Sequence, residues 1–342
     1  MTPPVRLASE SNSLNVPRSA DAALAAASFG LVAHWRAPQP TLADLADVAS
    51  PVNLLDTAPF LVDRWNASSP SMSNTAFVVD PFTTTSGSEE LVLQVDYPRG
   101  TRDGTQFFMT PMRPDAHVRT AVLQYDVAFD PEFDFVKGGK LPGVYGSKLG
   151  AESVCSGGNR LASCFSARLM WRQRGEGEVY AYIPTYDGFC RQSDVDCNAV
   201  YGISLSRGSF DFSAGGWTTI TQLVALNTPG YANGLLYLWA NGSLALAHTG
   251  LVWRTQESVT LSKIMFSTFF GGGDPSWDSK GGSSYFRNFQ VYAGTLPSNT
   301  SGPAVNASLT ATSAAPLART HPLGFAEVVV FVLLLSLLSF SP

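Results

Sequence analysis

The sequence predicts an all-β protein, a sandwich or a β-jelly roll, on three observations. From about Thr41 to Gly294 short runs alternate apolar and polar residues at strand period, and turn residues separate them at short spacing. No βαβ rhythm appears, and no helix longer than a few turns is needed.

The strand candidates, in order, are Glu90–Asp96, Ala121–Phe129, Phe165–Arg172, Val179–Ile183, Trp217–Leu226, Leu235–Asn241, Ser258–Phe270 and Ser284–Tyr292. Around this domain (39–295) lie a poorly ordered leader (1–38) with room for one short helix in its alanine-rich stretch, and a Ser/Thr/Pro-rich stalk (296–324). A hydrophobic tail (325–342) closes the chain.

Composition narrows the function. The 342 residues are 45% hydrophobic but only 14% charged, with a net charge of -5 and no Lys/Arg run, which argues against a nucleic-acid partner. A local basic groove for a polyanion remains compatible with that balance. The four cysteines, Cys155, Cys164, Cys190 and Cys197, lack the tight pairs of a zinc site, and the four histidines are scattered. No metal and no cofactor is expected. Local disulfides Cys155–Cys164 and Cys190–Cys197 are preferred over free or crossed thiols, and imply an oxidising compartment.

Secretion agrees with the sequons at Asn66, Asn241, Asn299 and Asn306. The tail FAEVVVFVLLLSLLSF, preceded by a polar spacer and the small residues Ser313-Ala314-Ala315, has the pattern of a glycosylphosphatidylinositol signal; a tail-anchored helix is the other reading. Either would make the membrane a partner through the tail alone. The N-terminus shows no apolar signal-peptide region, and the small apolar stretch Ala20–Trp35 lies late, with Asp21 at its start. An extracellular or cell-surface monomer is expected.

Two segments carry candidate chemistry. In FDFVKGGKLPGVYGSK (Phe133–Lys148) a strand-like run ends in Gly138-Gly139-Lys140, read as a tight turn that also lets backbone and ligand approach closely while Lys140 meets a negative group. In CFSARLMWRQRGEGEVYAYIPTYDGFC (Cys164–Cys190), side chains two apart share a strand face. Ser166, Arg168, Met170 and Arg172 then lie on one face, and Phe165, Ala167, Leu169 and Trp171 on the other. After the turn Arg174-Gly175-Glu176-Gly177, Tyr180 and Tyr182 face with the first set. The bland reading is a solvated sheet face. The sharper one is a sugar site, since phenols stack and hydrogen-bond while guanidinium forks onto a carboxylate.

The motif GGKLPGVYG, the Ser-x-Arg strand and the Tyr-x-Tyr pair beyond it resemble polysaccharide lyase family 14. The resemblance continues through YGISLSRGSFDF, LNTPGYANGLLYLWANG and FSTFFGGGDPSWDSKGGSSYFRNFQVY and covers roughly residues 85–294. It implies a jelly roll with a groove on its concave face and cleavage of alginate, glucuronan or a related polyuronate by β-elimination. It places the family's essential residues on Lys140, Ser166, Arg168, Tyr180 and Tyr182. Gly138, Gly139, Tyr145, Arg172 and Trp277 are expected to touch substrate. Arg168 and Lys140 would neutralise the uronate carboxylate, Ser166 would orient it, and nearby cations would lower a tyrosine pKa enough for Tyr180 and Tyr182 to serve as base and acid, in either order. CSGGNRLASC (Cys155–Cys164) is read as a lineage-specific insertion able to alter the groove.

Other patterns carry less. FGGGDPSWD lacks the Gly-Lys-Ser/Thr of a phosphate loop, so it borders the groove, with Trp277 either stacking on sugar or filling a rim. Asp187, Asp194 and Asp196 lack calcium-loop spacing. Glu176 and Glu178 are expected to be solvated turn residues rather than a glycosidase pair. A non-catalytic carbohydrate-binding jelly roll and an anchored wall protein are the competing functions.

Overall fold

The computed structural model describes residues 16–41, 57–83, 90–111, 116–151 and 154–309. Among these, sixteen strands form two antiparallel sheets. One sheet runs in the order β14 (Ser243–Leu251), β13 (Gly234–Ala240), β12 (Trp217–Ala225), β6 (Thr120–Phe129), β16 (Ser283–Gly294), β4 (Leu91–Asp96), β3 (Thr75–Val79), with β1 (Ala33–Arg36) also paired to β16. The other runs β10 (Val195–Cys197), β11 (Ile203–Asp211), β9 (Glu176–Tyr182), β8 (Cys164–Arg172), β7 (Gly138–Lys148), β15 (Val259–Phe270), β5 (Thr105–Met109), β2 (Ala67–Ser71).

Every predicted strand is present, and the largest shift is at β9, which begins at Glu176 rather than Val179. The sheets bury their inner faces against each other. Leu123, Tyr125 and Val127 of β6 share one core with Phe165, Ala167, Leu169 and Trp171 of β8 and with Val179 and Ala181 of β9. Each such large side chain contributes about 1.5–3 kcal/mol by leaving water. Trp171 packs edge-on against Phe129, Phe270 and Tyr97 at 5.4–5.8 Å. The alternation read from the sequence therefore holds, and the outward face of this sheet carries the remaining set.

The segment at Gly138 corrects the sequence reading. It opens an eleven-residue strand instead of ending one; the turn lies before it, where Gly138 N–H donates to Phe135 C=O. Nor do the glycines make room for a ligand. A Cβ on Gly139 would stand 2.1 Å from the Trp171 indole, and one on Gly138, at φ +133°, would stand 2.6 Å from the Trp171 carbonyl. Core packing requires both.

The domain is also longer at both ends than 39–295. Helix α1 (Ala22–Ser28) is capped by Asp21, whose carboxylate accepts from Leu24 N–H. Its Ala22, Ala25 and Ala26 pack on Leu223, Leu235, Tyr237 and Trp239, the outer face of the first sheet. The acidic residue that disqualified this stretch as a signal core is thus a helix start. Helix α2 (Thr57–Trp65) buries Phe60, Leu61 and Trp65 in the main core. The start of the stalk lies along the domain, bridging Thr185 to Ser308 and Tyr231 to Ala304. The attachment region at 313–315 and the tail at 325–342 fall outside the described residues.

Both preferred disulfides are present, Cys155–Cys164 and Cys190–Cys197, with Cα separations of 5.7 and 5.6 Å.

Candidate functional site

The outward face of the second sheet carries a cleft of about 780 Å³. It crosses β11, β9, β8, β7, β15 and β5, which contribute Arg207, Tyr180, Arg168, Lys140, Phe269 and Gln106 in that order. Its two walls rise from opposite strand ends. Ser156 and Gly157 of the β7–β8 connection stand with Asn198, Tyr201 and Gly202 of the β10–β11 connection on one side; Gly271–Gly273 and Trp277, which follow β15, stand on the other.

Register brings the central residues together. Arg168 is directly opposite Tyr180, and Ser166 opposite Tyr182. Lys140 is opposite Met170, and its Nζ donates to the thioether sulfur at 3.0 Å, a weak acceptor. The same nitrogen lies 4.4 Å from the Tyr180 ring centroid. Lys140 is 8% exposed and Arg168 1%. Burial, then the Arg168 and Arg172 charges, hold the Lys140 ammonium well below its usual range, with Glu178 opposing. Burial brings Arg168 down to about 10. Arg168 Nη1 donates to Ser267 Oγ at 3.0 Å, which donates to Gln106 Oε1 at 3.1 Å. The Nε atoms of Arg168 and Arg172 are buried donors without a hydrogen-bond partner among the described residues.

Tyr180 corrects the electrostatic expectation. Burial, reinforced by Tyr182, pushes the Tyr180 phenol up to about 12, and the backbone hydrogen bond from Gly202 and the Arg172 charge offset this only in part. Desolvation outweighs the cations. Each phenol oxygen accepts from a wall: Gly202 N–H to Tyr180 at 2.9 Å, and Gly158 N–H to Tyr182 at 3.2 Å. The phenol hydrogens therefore remain available to a ligand.

The structure gathers Lys140, Arg168, Arg172, Tyr180, Tyr182 and Trp277 into the cleft lining, and leaves out four expected members. Gly138 and Gly139 serve Trp171. Ser166 is fully buried, its hydroxyl donating to the Cys155 carbonyl at 2.7 Å. Tyr145, 3% exposed, packs edge-on against Phe108 at 5.0 Å beneath the same loop. Trp277 is half-buried at the rim, with Lys137 Nζ 5.8 Å from its ring.

Glu178 also departs from expectation. It is not solvated but fully buried, bonded to Arg172 (2.6 Å), Arg207 (2.8 Å) and Ser204 (2.6 Å). Alternation could have found it, since it shares a face with Tyr180 and Tyr182. Arg207 was missed because β11 carries a bulge between Leu205 and Phe210, which breaks the period. The three aspartates of the calcium question have separate cationic or imidazole partners: Asp187 with Arg191, Asp194 with His248, Asp196 with Arg207. Among the described residues no three His, Cys, Asp or Glu side chains converge as a metal site.

Buried cations, a depressed amine and the raised Tyr180 phenol suit an acidic sugar polymer, and comparison with known proteins agrees. Residues 85–289 match the family model described as polysaccharide lyase 14. The crystal structure of a PL-14 alginate lyase from Aplysia kurodai is 33% identical and superposes with a TM-score of 0.62, covering 69% of this chain and 94% of that one. An alginate lyase from a Chlorella virus, 22% identical, shares the fold at a TM-score of 0.52, covering 67% and 93%. A curated relative, exolysin of Paramecium bursaria Chlorella virus 1, is 26% identical over 175 residues, which span 45% of this chain but only 26% of that protein.

Proposed function

This chain belongs to polysaccharide lyase family 14, a jelly-roll polyuronate lyase, and from that premise we propose that it cleaves an alginate- or glucuronan-type polymer by β-elimination in the Lys140–Tyr182 cleft. The observation that carries the assignment of roles is the pairing of a lysine whose ammonium is disfavoured with a phenol whose ionisation is disfavoured, in ring contact. It supports Lys140 as the base and the Tyr180–Tyr182 pair as the source of the acid, where sequence reasoning alone had put both roles on the tyrosines.

The steps follow from those protonation states. Arg168, part of the cleft lining, faces the uronate carboxylate and draws charge out of C5 as the proton leaves. Neutral Lys140 Nζ takes the C5 proton, and the C–H electron pair becomes the C4=C5 bond. The C4–O4 bond breaks, and O4 takes a phenol proton. Proton return from Lys140 to the phenolate resets the site. Arg172, Trp277 and the exposed Tyr201 bind flanking sugars.

The test is the ultraviolet absorbance of the unsaturated product from the full chain with alginate, glucuronan and a neutral glucan, using Arg168→Gln as control. A rise on a polyuronate that the control abolishes supports the lyase. Binding without any rise moves the assignment to a carbohydrate-binding protein.

We further propose that the protein acts as an extracellular or surface-anchored monomeric glycoprotein. Both disulfides and the exposure of all four sequon asparagines support this. Among the described residues no helix is long and apolar enough to cross a membrane. A mobility shift with an N-glycosidase, release from cells by a phosphatidylinositol-specific phospholipase, and size-exclusion mass test the three parts.

A further inference from the structure

The two disulfide-bearing loops meet above the tyrosines, and one side chain joins them. Arg160, inside the Cys155–Cys164 loop, donates through Nη2 to the Asn198 carbonyl at 2.6 Å and also to the Tyr201 carbonyl. Those acceptors lie just beyond Cys197 and just before Gly202. Each joined loop holds one phenol, through Gly158 N–H on Tyr182 and Gly202 N–H on Tyr180.

Both glycines are fitted to that task. Gly158 sits at φ +96°, where an added Cβ would also meet the Val200 carbonyl at 3.1 Å, so the two loops touch there again. A Cβ on Gly202 would stand 2.7–2.9 Å from atoms of both the Tyr180 and the Tyr182 rings. From below, Ser166 holds the carbonyl of Cys155, where the Arg160 loop begins. A buried serine outside the cleft is thereby linked to the phenols through the loop it anchors.

We propose that Arg160 is a positioning residue for the general acid: by tying the two loops together it fixes the backbone amides that aim both phenol hydrogens into the cleft. This rests on the lyase reading above. Among the described residues neither phenol oxygen has another hydrogen-bond partner, so the tie governs how O4 meets its proton. Misplacing a proton donor by about 1 Å can cost roughly a hundredfold in rate.

The experiment compares two substrates of the full-length oxidised enzyme. One is the polyuronate. The other is a uronoside carrying a dinitrophenyl ether at O4, which departs as a stable anion and needs no proton. Arg160→Ala should lose about 10- to 100-fold in kcat on the polymer with KM within about twofold, yet retain near wild-type kcat on the activated substrate. Gly202→Ala, which pushes on the rings directly, should show the same split if Arg160→Ala folds poorly. Tyr180→Phe and Tyr182→Phe on the same pair of substrates identify which phenol is the donor.

Equal losses on both substrates would overturn the proposal, because the arginine would then support the fold or the base. Unchanged kcat on the polymer would overturn it too. A wild-type enzyme inactive on both substrates would refute the lyase reading and the proposal with it, whereas the first two outcomes leave that reading standing.

Discussion

Lys140 Nζ lies 4.4 Å from the centre of the Tyr180 ring, and the two groups are displaced in opposite directions from their ordinary ionisation. A lysine beside two arginines resists its proton; a phenol withdrawn from water keeps one. Both displacements favour neutral amine and neutral phenol, the states a base and an acid must have before elimination.

The pH profile should report both. A base must be deprotonated, so kcat/KM rises with pH through the depressed Lys140 value, placing the acidic limb well below 10.5. An acid must be protonated, so the alkaline limb appears only as the donor phenol ionises, which for Tyr180 is at about 12. Initial rates across pH 5–11 on a soluble polyuronate test this, through the position of the acidic limb and the absence of an alkaline fall before about pH 11, with the stability of the enzyme checked at each pH. A limb at the ordinary lysine value would remove Lys140 from the base role.

The same displacement has a stability counterpart. Because the folded Lys140 value lies below the unfolded one, the unfolded chain binds more protons between them, and stability falls as pH drops from 10.5 through that window. Lys140→Met fills the space without a charge. It should abolish turnover while raising the melting temperature at neutral pH by about 2–4 °C, the response to roughly 1 kcal/mol. The gain should shrink as pH approaches 10.5. An inactive variant that melts lower than wild type contradicts the argument.

How much of this was legible in the sequence depends on what each residue reports. Alternation from Phe165 to Tyr182 carried the hairpin, its two faces and the Arg168–Tyr180 neighbourhood, since strand period alone determines which side chains share a face. It failed at β7, where Gly138 and Gly139 read as a turn; their smallness serves Trp171, a partner on the next strand that local sequence cannot show. The tyrosine shift had the wrong sign for a related reason. Cations nearby were visible, but the depth of burial that outweighs them is a property of the whole sheet and its loops.

Glu178 gives a further prediction, since its buried carboxylate holds Arg172 and Arg207 together and favours the Lys140 ammonium. Glu178→Gln leaves two guanidiniums facing each other over a neutral amide. The fold should lose about 3 kcal/mol, within the range for breaking a buried pair. With the opposing charge gone, the Lys140 value falls further, so the acidic limb of kcat/KM should move to lower pH. Chemical denaturation and the pH profile measure the two effects on one preparation; an unmoved limb would mean that Glu178 does not act on Lys140.

Ser166 and Arg168 are two residues apart on one strand face, yet the structure separates their roles. Arg168 lines the cleft floor with an unpartnered donor, whereas the Ser166 hydroxyl is spent on the Cys155 carbonyl. Arg168→Gln should lose at least about a hundredfold in kcat/KM, because the charge that stabilises the developing enolate is gone. Its melting temperature should change little or rise, since an arginine 1% exposed is costly to bury. Ser166→Ala should instead lose about 1–3 kcal/mol of stability by orphaning a buried carbonyl. Its turnover should fall by about tenfold or less on the polymer and recover on a substrate whose leaving group needs no proton, because the damage travels through the Arg160 loop to the phenols. Losing activity alike on both substrates, at unchanged melting temperature, would return Ser166 to direct contact with the sugar.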